Sequence, residues 1–125
     1  MNEDFYLLIA GSRTFNDYDL LKKKCDYLLK KQTGKIHIVS GGARGADALA
    51  EQYAREKNFE LHVFPANWNK NGKAAGFIRN EEMHKFISQF NKRECVCFWD
   101  GKSKGTAHNF KLCDKYNTQL IVINF

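Results

Sequence analysis

The sequence predicts an α/β fold: one Rossmann-like domain over residues 1–125, with a mostly parallel five-stranded sheet and helices on both faces. Five apolar runs alternate with helical patterns along the chain. The runs are continuous Val, Ile and Leu segments, as expected of parallel strands buried on both faces. Right-handed crossovers then give a doubly wound sheet, and a chain of 125 residues is long enough for one core.

The first part of the chain supplies three strands and two helices. Residues 5–10 are too apolar for a half-exposed strand. Residues 17–31 carry leucines and a tyrosine at helical spacing. The apolar run at 36–40 predicts the second strand, residues 46–57 predict the second helix, and residues 61–64 predict the third strand.

The second part of the chain continues the alternation after a polar loop at residues 65–72. Pro65 lies just past a strand, where it costs no ladder hydrogen bond. Trp68 in this loop is either a plug on the core or a plate on which a ligand base stacks. The remaining predicted elements are a helix at 74–90, a strand at 94–99, a helix at 105–116 and a strand at 119–123.

Composition limits the classes of function. A net charge of +6 with a pI near 9.2 is compatible with nucleic acid or with an anionic small ligand. The lysines at 22–24 and 30–31 fall on the solvent-exposed face of one predicted helix, so the positive charge is spread over the chain. No apolar run approaches the ~20 residues of a membrane span, and the acidic N-terminus lacks the basic start of a signal peptide. We therefore expect a cytoplasmic protein with no membrane partner.

The four cysteines, Cys25, Cys95, Cys97 and Cys113, are expected to be reduced core thiols, since cytoplasmic proteins seldom keep disulfides. Cys95 and Cys97 lie on the same face of a predicted strand. No second C-x-C pair and no histidine pair completes a zinc set at recognisable spacing. We therefore expect no metal, and the identity of any cofactor is unknown.

A glycine-rich turn follows the second predicted strand, where the segment from Ser40 to Asp47 reads SGGARGAD. Glycines let a backbone approach a phosphate, and the N–H groups of the next helical turn point at the anion. The turn lacks the spacing of dinucleotide-binding enzymes and the Lys-Ser/Thr pair of an ATPase P-loop. Arg44 can offer two donors to a phosphate, and a cation at a helix start is unfavourable without an anion. A tight βα turn also explains the glycines.

The candidate ligand-binding site lies at the carboxyl ends of the strands, where open α/β sheets bind ligands. The loops after the first four strands are rich in Gly, Ser, Thr, Arg, Asn and Asp, and they converge on this edge. Residues 101–106 form a second glycine turn and a second candidate phosphate cradle. The predicted ligand-binding residues are Gly11, Ser12, Arg13, Ser40, Gly41, Gly42, Arg44, Gly45, Asp47, Trp68, Arg79, Asn80, Asp100, Gly101, Ser103, Gly105 and Thr106.

Several of these residues also have a plain structural explanation. Arg79 and Asn80 lie within a helical pattern, where they are also compatible with an exposed pair. Asp47 accepts from a ribose hydroxyl or caps the first helical turn. His108 is a polar contact, a proton donor or a plain surface residue. The sequence therefore assigns no catalytic residue.

Five ordered motifs carry a family resemblance. They are Gly11-Ser12-Arg13-x-Phe15-x-Asp17-Tyr18, the segment from Ser40 to Asp47, Phe64-Pro65-Ala66-x-Trp68, Gly72-Lys73-x-Ala75-Gly76-x-x-Arg79-Asn80-x-x-Met83 and Phe98-Trp99-Asp100-Gly101-x-Ser103-x-Gly105-Thr106. Over nearly the whole chain they resemble the YspA-type, YpsA-related branch of the SLOG superfamily. The resemblance implies a Rossmann-like domain that binds nucleotides or nucleotide-derived ligands. More distant relatives include DprA and the LOG-type phosphoribohydrolases.

The similarity to the LOG-type enzymes fails at one residue. Their Pro-Gly-Gly-x-Gly-Thr-x-x-Glu motif ends in a glutamate that serves N-glycosidic cleavage. The matching turn of this chain places Asn109 three residues after Thr106. Only Asp47, Asp100 or His108 can then supply the acid or base that such a hydrolase needs.

We therefore expect a protein that binds a nucleotide or nucleotide-derived phosphate ligand at the C-terminal edge of the sheet, as a sensor or ligand-sequestering protein. One alternative is a nucleotide-processing enzyme of the N-glycosidase or phosphoribohydrolase kind. A second is a nucleic-acid-binding protein, which is not favoured because no interleaving of aromatic and basic residues stands out. The expected partner is a nucleotide-like small molecule, and a homo-oligomer is compatible with the sequence.

Overall fold

The computed structural model describes residues 3–125, in which strands and helices alternate along the chain. The elements are β1 (Phe5–Gly11), α1 (Tyr18–Leu29), β2 (Ile36–Ser40), α2 (Ala46–Lys57), β3 (Glu60–Val63), α3 (Trp68–Asn71), a 3₁₀ turn (Gly72–Ala74), α4 (Ala75–Ile87), β4 (Arg93–Trp99), α5 (Lys104–Lys115) and β5 (Gln119–Asn124). The five strands form one parallel sheet in the order β3-β2-β1-β4-β5. The predicted Rossmann-like α/β fold is therefore confirmed.

Both faces of the sheet are covered, because successive residues of a strand point to opposite sides. On the central strand, Leu7 and Ile9 enter a core cluster that includes residues of α1 and α2. Tyr6 and Leu8 enter a second cluster with residues of α4 and α5. This two-sided burial explains why the strands read as continuous apolar runs. Within residues 3–125, no helix combines the length and apolarity of a membrane-spanning segment.

The strand order creates a crevice beside the central strand. After β1 the chain moves outward through β2 and β3, and then returns to the other side of β1 for β4 and β5. The order thus reverses between β1 and β4, and ligands of open α/β sheets bind beyond the carboxyl ends of the strands at such a point. The loop after β1 and the loop after β4 lie together there, and the Asp100 N–H donates to Ser12 Oγ at 3.2 Å.

The largest departure from the predicted elements lies in the polar loop at residues 65–72. It contains α3, which begins where Asn67 Oδ1 accepts a hydrogen bond from the Lys70 N–H at 3.0 Å. Gly72, with a φ of 56°, ends that helix and leads into the 3₁₀ turn. The apolar periodicity that predicts a helix cannot detect a single polar turn, because such a turn depends on its cap. Helices α1 and α4 also end two and three residues earlier than predicted, at Leu29 and Ile87.

Candidate functional site

A cavity of about 360 Å³ opens at the carboxyl ends of β1 and β4. It receives residues from four loops or helices that follow different strands, so the sheet topology gathers it. The residues around it are Ala10, Gly11, Ser12, Arg13, Thr14, Ala43, Asp47, Trp68, Lys73, Gly76, Phe77, Arg79, Asn80, Met83, Asp100, Ser103, Gly105, Thr106 and Asn109.

The loop after β1 connects the floor of the cavity to both neighbouring loops. Ser12 is buried, its N–H donates to the Phe98 carbonyl at 2.9 Å, and its own carbonyl accepts from the Ala46 N–H at 3.3 Å. Arg13 is exposed, and its guanidinium carbon lies 5.8 Å from the centre of the Trp68 ring. Ser12 therefore links the loop after β1 to β4 and to the start of α2. The exposed Arg13 side chain can contact a ligand at the rim of the cavity.

In the first glycine turn, residues 41–45, two backbone N–H groups donate to side chains of the same segment. The Gly42 N–H donates to Ser40 Oγ at 3.3 Å, and the Ala43 N–H donates to Asp47 Oδ2 at 3.1 Å. Ser40 Oγ in turn donates to the Asp47 carbonyl at 3.1 Å. The Asp47 carboxylate thus takes a donor that an external phosphate would use.

Gly41 is a glycine because two charged side chains pack against its Cα. A Cβ there would lie 2.6 Å from Arg79 Nη1 and 2.8 Å from Asp47 Oδ2. Arg79 Nη1 also donates to the Gly41 carbonyl, and Arg79 Nε donates to Asn80 Oδ1 at 2.9 Å. The arginine is only 8% exposed, so it is a buried part of the cavity wall and not half of an exposed helical pair.

Burial raises the pKa of Asp47 to about 6, despite the opposing effects of the Ala43 N–H and the Arg79 guanidinium. In the folded protein this carboxyl is therefore half protonated near pH 6 and mostly ionised at neutral pH. A polar group with a perturbed pKa in a concave site is typical of functional sites. Asp47 is the candidate acid or base of this cavity.

The second glycine turn, residues 101–105, is built differently. Asp100 Oδ1 accepts from the Lys102 N–H at 2.9 Å and from the Ser103 N–H at 2.8 Å, and these donors lower the pKa of Asp100. Ser103 Oγ caps α5 by accepting from the Thr106 N–H at 3.3 Å. Within residues 3–125, the N–H groups of Lys104 and Gly105 have no protein acceptor. This turn therefore presents open donors at a helix N-terminus.

Helix α4 joins the second glycine turn through Asn80. Asn80 is 5% exposed and donates from Nδ2 to the Gly105 carbonyl at 3.2 Å. The same amide nitrogen lies 3.4 Å from His108 Nδ1. His108 packs on the Phe77 ring with a centroid distance of 4.5 Å and does not line the cavity. Burial lowers the pKa of His108.

The structure brings most of the predicted site residues together and leaves some outside. Those that line the cavity are Gly11, Ser12, Arg13, Asp47, Trp68, Arg79, Asn80, Asp100, Ser103, Gly105 and Thr106. Those that do not line it are Ser40, Gly41, Gly42, Arg44, Gly45 and Gly101. Arg44 instead lines a shallower depression of about 260 Å³ with Arg13, Ala43 and Trp68.

Sequence reasoning missed part of the wall. The additional lining residues are Ala10, Thr14, Ala43, Lys73, Gly76, Phe77, Met83 and Asn109. Lys73, Gly76 and Met83 belong to a motif that follows the third strand, so their motif membership was a usable signal. Phe77 carried no such signal, because an apolar residue in a helical pattern is expected to face the core. It is 50% exposed instead, as is Trp68.

The sequence of this chain is similar to those of known proteins. A family model described as the YspA, cpYpsA-related SLOG family matches residues 5–71. The chain belongs to this family. The Gene 61 protein of Mycobacterium phage D29 is 37% identical over 130 residues, which covers 95% of this chain and 94% of that protein. SLOG family membership suggests a function in binding or processing a nucleotide-related ligand.

A solved structure shares the α/β fold of this chain. DNA processing protein A (DprA) from Streptococcus pneumoniae matches with a TM-score of 0.61 and 13% identity over 96% of this chain. The match spans 50% of the DprA chain, so the two proteins share a fold over half of DprA. A predicted subunit of tRNA methyltransferase from Methanocaldococcus jannaschii matches with a TM-score of 0.40 and 19% identity, over 98% of this chain and 67% of that one.

Proposed function

We propose that this SLOG protein binds a nucleotide or nucleotide-derived phosphate ligand in the cavity and acts as a sensor or ligand-sequestering protein. The observation that carries the proposal is the open N-terminus of α5 at the wall of a cavity that cationic side chains also line. Three cationic residues line the cavity: Arg13, Lys73 and Arg79. The two carboxylates that line it, Asp47 and Asp100, already accept hydrogen bonds from backbone N–H groups.

The phosphate is assigned to the second glycine turn. The free N–H groups of Lys104 and Gly105 lie at the positive end of the helix dipole, which favours an anion. A Cβ at Gly105 would have no heavy atom within 4 Å, so there is room for a ligand beside this backbone. Arg13, being exposed at the rim, supplies a mobile charge-assisted donor.

The base is assigned to the aromatic side of the cavity. Trp68 and Phe77 both line it, and each is 50% exposed. An exposed aromatic ring offers a stacking surface to any nucleobase, at a typical gain of about 1–3 kcal/mol per base. The polar and aromatic sides together match a molecule that carries both a phosphate and a flat ring.

Calorimetric titration tests the proposal. Nucleoside monophosphates, nucleoside diphosphates and dinucleotides are titrated into the protein beside the matching nucleosides, which have the base and sugar but no phosphate. We expect at least one phosphate-bearing compound to bind about tenfold more tightly than its nucleoside, because a charge-assisted contact contributes about 1.5–3 kcal/mol. Equal affinity for the pair, or no binding by any of the compounds, contradicts the proposal.

Asp47 supports a second candidate function, cleavage of the N-glycosidic bond of a nucleotide. Its carboxyl lines the cavity with a pKa raised to about 6, near the pH at which a general acid or base is most effective. Asn109, at the position of the glutamate in LOG-type enzymes, is committed to two hydrogen bonds within the protein. The protein is incubated with nucleoside monophosphates while free base is followed by chromatography. Base release that Asp47→Asn abolishes would establish the enzyme; we expect little or none.

A further inference from the structure

A second polar cluster lies in the core behind the cavity, between β4, α4 and α5. His84, Cys95 and Cys113 each place one potential ligand atom within 4.8 Å of the others. All three residues are buried, and His84 is 0% exposed. The Sγ atom of Cys97, two residues along the same strand, lies 3.8 Å from Cys95 Sγ. Two thiols and an imidazole thus meet in one region closed to solvent, and a third thiol lies beside Cys95.

The histidine of this cluster has an unused lone pair. Asn109 Nδ2 donates to the Gly105 carbonyl at 3.3 Å, which leaves Asn109 Oδ1 facing His84 Nε2 at 2.8 Å. Because an amide oxygen only accepts, Nε2 carries the proton and Nδ1 carries the lone pair. Nδ1 is buried and has no hydrogen-bond partner within residues 3–125. Leaving a buried acceptor unpaired is unfavourable, and the lone pair of Nδ1 is available to ligate an ion.

We propose that His84, Cys95 and Cys113 bind one thiophilic d¹⁰ metal ion, Zn(II) or Cu(I), in the core beside the nucleotide cavity. Thiolate and imidazole are the ligands that these two ions prefer. Asn109 completes the arrangement, because a metal-binding histidine usually donates its second ring N–H to a carbonyl or carboxylate oxygen. Each cysteine that ligates the ion loses its thiol proton to the solvent.

The distances between the sulfur atoms bear on whether three or four protein residues ligate a bound Zn(II) or Cu(I) ion. Two thiolates at the usual Zn–S distance of about 2.3 Å in a tetrahedron lie about 3.8 Å apart. The Cys95 and Cys97 sulfur atoms already have this separation, at 3.8 Å. The ligand atoms of His84, Cys95 and Cys113 lie within 4.8 Å of one another and suit Cu(I), which accepts three soft ligands, whereas a closed Cys₃His zinc set requires Cys97 to turn its sulfur toward the other residues.

The sequence did not predict this metal site, because its ligands lie on three different elements, α4, β4 and α5. Cys95 and Cys97 form one C-x-C pair, but His84 precedes the pair on α4 and Cys113 follows it on α5. Zinc sites are recognised in a sequence by two local pairs, and only one is local in this chain. The inference therefore differs from the expectation that these cysteines are core thiols without a metal.

Metal titration of the reduced protein tests the inference. The protein is stripped with a chelator in the presence of a phosphine reductant, and Co(II) is added as a spectroscopic probe. We expect a thiolate-to-cobalt charge-transfer absorption that saturates at one equivalent and is bleached by Zn(II). Competition with chromophoric chelators then measures Zn(II) and Cu(I) separately. A bound ion should also raise the Tm by about 5 °C or more, since it binds only the folded state.

Matched variants locate the site. Cys113→Ser and His84→Gln should each weaken metal binding at least a hundredfold, whereas Cys25→Ser should not change it. Cys25 is equally buried but lies on α1, in the core of the opposite sheet face. If Cys97→Ser loses Zn(II) binding but keeps Cu(I) binding, the other three residues form the copper site. If the wild type binds only Zn(II) tightly and Cys97→Ser loses that binding, the cluster is a zinc site with Cys97 as a ligand.

Measurements on the wild type alone can overturn the inference, so the test does not depend on whether the variants fold. Absence of the cobalt absorption together with unchanged Tm in Zn(II) and Cu(I) would contradict it. Equal loss of binding in Cys25→Ser and Cys113→Ser would do the same, because it would show that the cluster is not the site. Neither outcome bears on nucleotide binding, which Arg13 and the α5 N-terminus are proposed to support.

Discussion

The two glycine turns of this protein have similar sequences but differ in their position relative to the cavity. In the first glycine turn, after β2, the N–H groups of Gly42 and Ala43 donate to Ser40 Oγ and to the Asp47 carboxylate, and none of its glycines lines the cavity. In the second glycine turn, after β4, Gly105 lines the cavity and its N–H has no acceptor within residues 3–125. A strand, glycines and a helix therefore specify a shape that suits an anion. Whether that shape faces a ligand depends on where the tertiary structure places it.

In the first glycine turn, a carboxylate of the protein itself takes the place of a bound anion. Asp47, in the first turn of α2, places its carboxylate where a phosphate would meet the backbone. Arg79 arrives from α4 and packs beside it against Gly41. Asp47 and Arg79 both form part of the cavity wall. The first turn thus supports the site, and the second turn is the one proposed to bind the ligand.

The same substitution in the two turns gives the largest expected difference. Gly45 has a φ of 77°, and a Cβ there would lie 2.5 Å from the carbonyl oxygens of Ser12 and Arg13. We expect Gly45→Ala to lower the free energy of unfolding by about 3 kcal/mol or more. At Gly105 a Cβ meets nothing within 4 Å, so Gly105→Ala should change stability by less than about 1 kcal/mol. Urea unfolding followed by circular dichroism measures both, and equal losses would refute the contrast.

Asp47 predicts a pH dependence of stability. Its pKa is about 6 in the folded protein against 3.8 ordinarily, so the folded state binds the proton more tightly. The free energy of unfolding contributed by this group is therefore present below pH ~4 and is lost as the pH rises to ~6, by up to about 3 kcal/mol. Asp47→Asn should remove this loss.

The comparison of variant and wild type isolates that effect from other titrating groups. The difference in free energy of unfolding between Asp47→Asn and wild type should shift in favour of the variant between pH 4 and pH 6. Asp114→Asn, on the exposed side of α5, serves as the control and should show no such shift. A constant difference across the range for Asp47→Asn would mean that its carboxyl is not perturbed by the fold.

The assignment of the ligand to the second turn predicts a smaller, local difference between two arginines. Arg13 lines the cavity, whereas Arg44 belongs to the first glycine turn and lies outside it. Arg13→Ala should weaken a phosphate-bearing nucleotide about tenfold to a hundredfold, and Arg44→Ala less than about threefold. Calorimetry with the compound that binds best to the wild type measures both. A larger effect at Arg44 would move the ligand to the first turn.

Most of the fold was predictable because its signals are local. The apolar runs predict β1, β2 and β4, since strands buried on both faces need continuous hydrophobic sequence. Gly11 and Gly105 were predictable as cavity residues because parallel strands bring the loops after them to one edge. Helix α3 was not predictable from periodicity, because four residues with one cap give no periodic pattern.

The sequence by itself determined the parallel sheet, the two glycine turns and the edge at which they lie, because these follow from hydrophobic period, glycine placement and chain direction. Only the tertiary structure decided which glycine turn faces the cavity, since Gly45 packs against the carbonyls of Ser12 and Arg13 whereas Gly105 lines the cavity with open space beside it. It also decided that His84 approaches Cys95 and Cys113. Burial and side-chain contacts of this kind arise between residues far apart in the chain, so no local pattern encodes them.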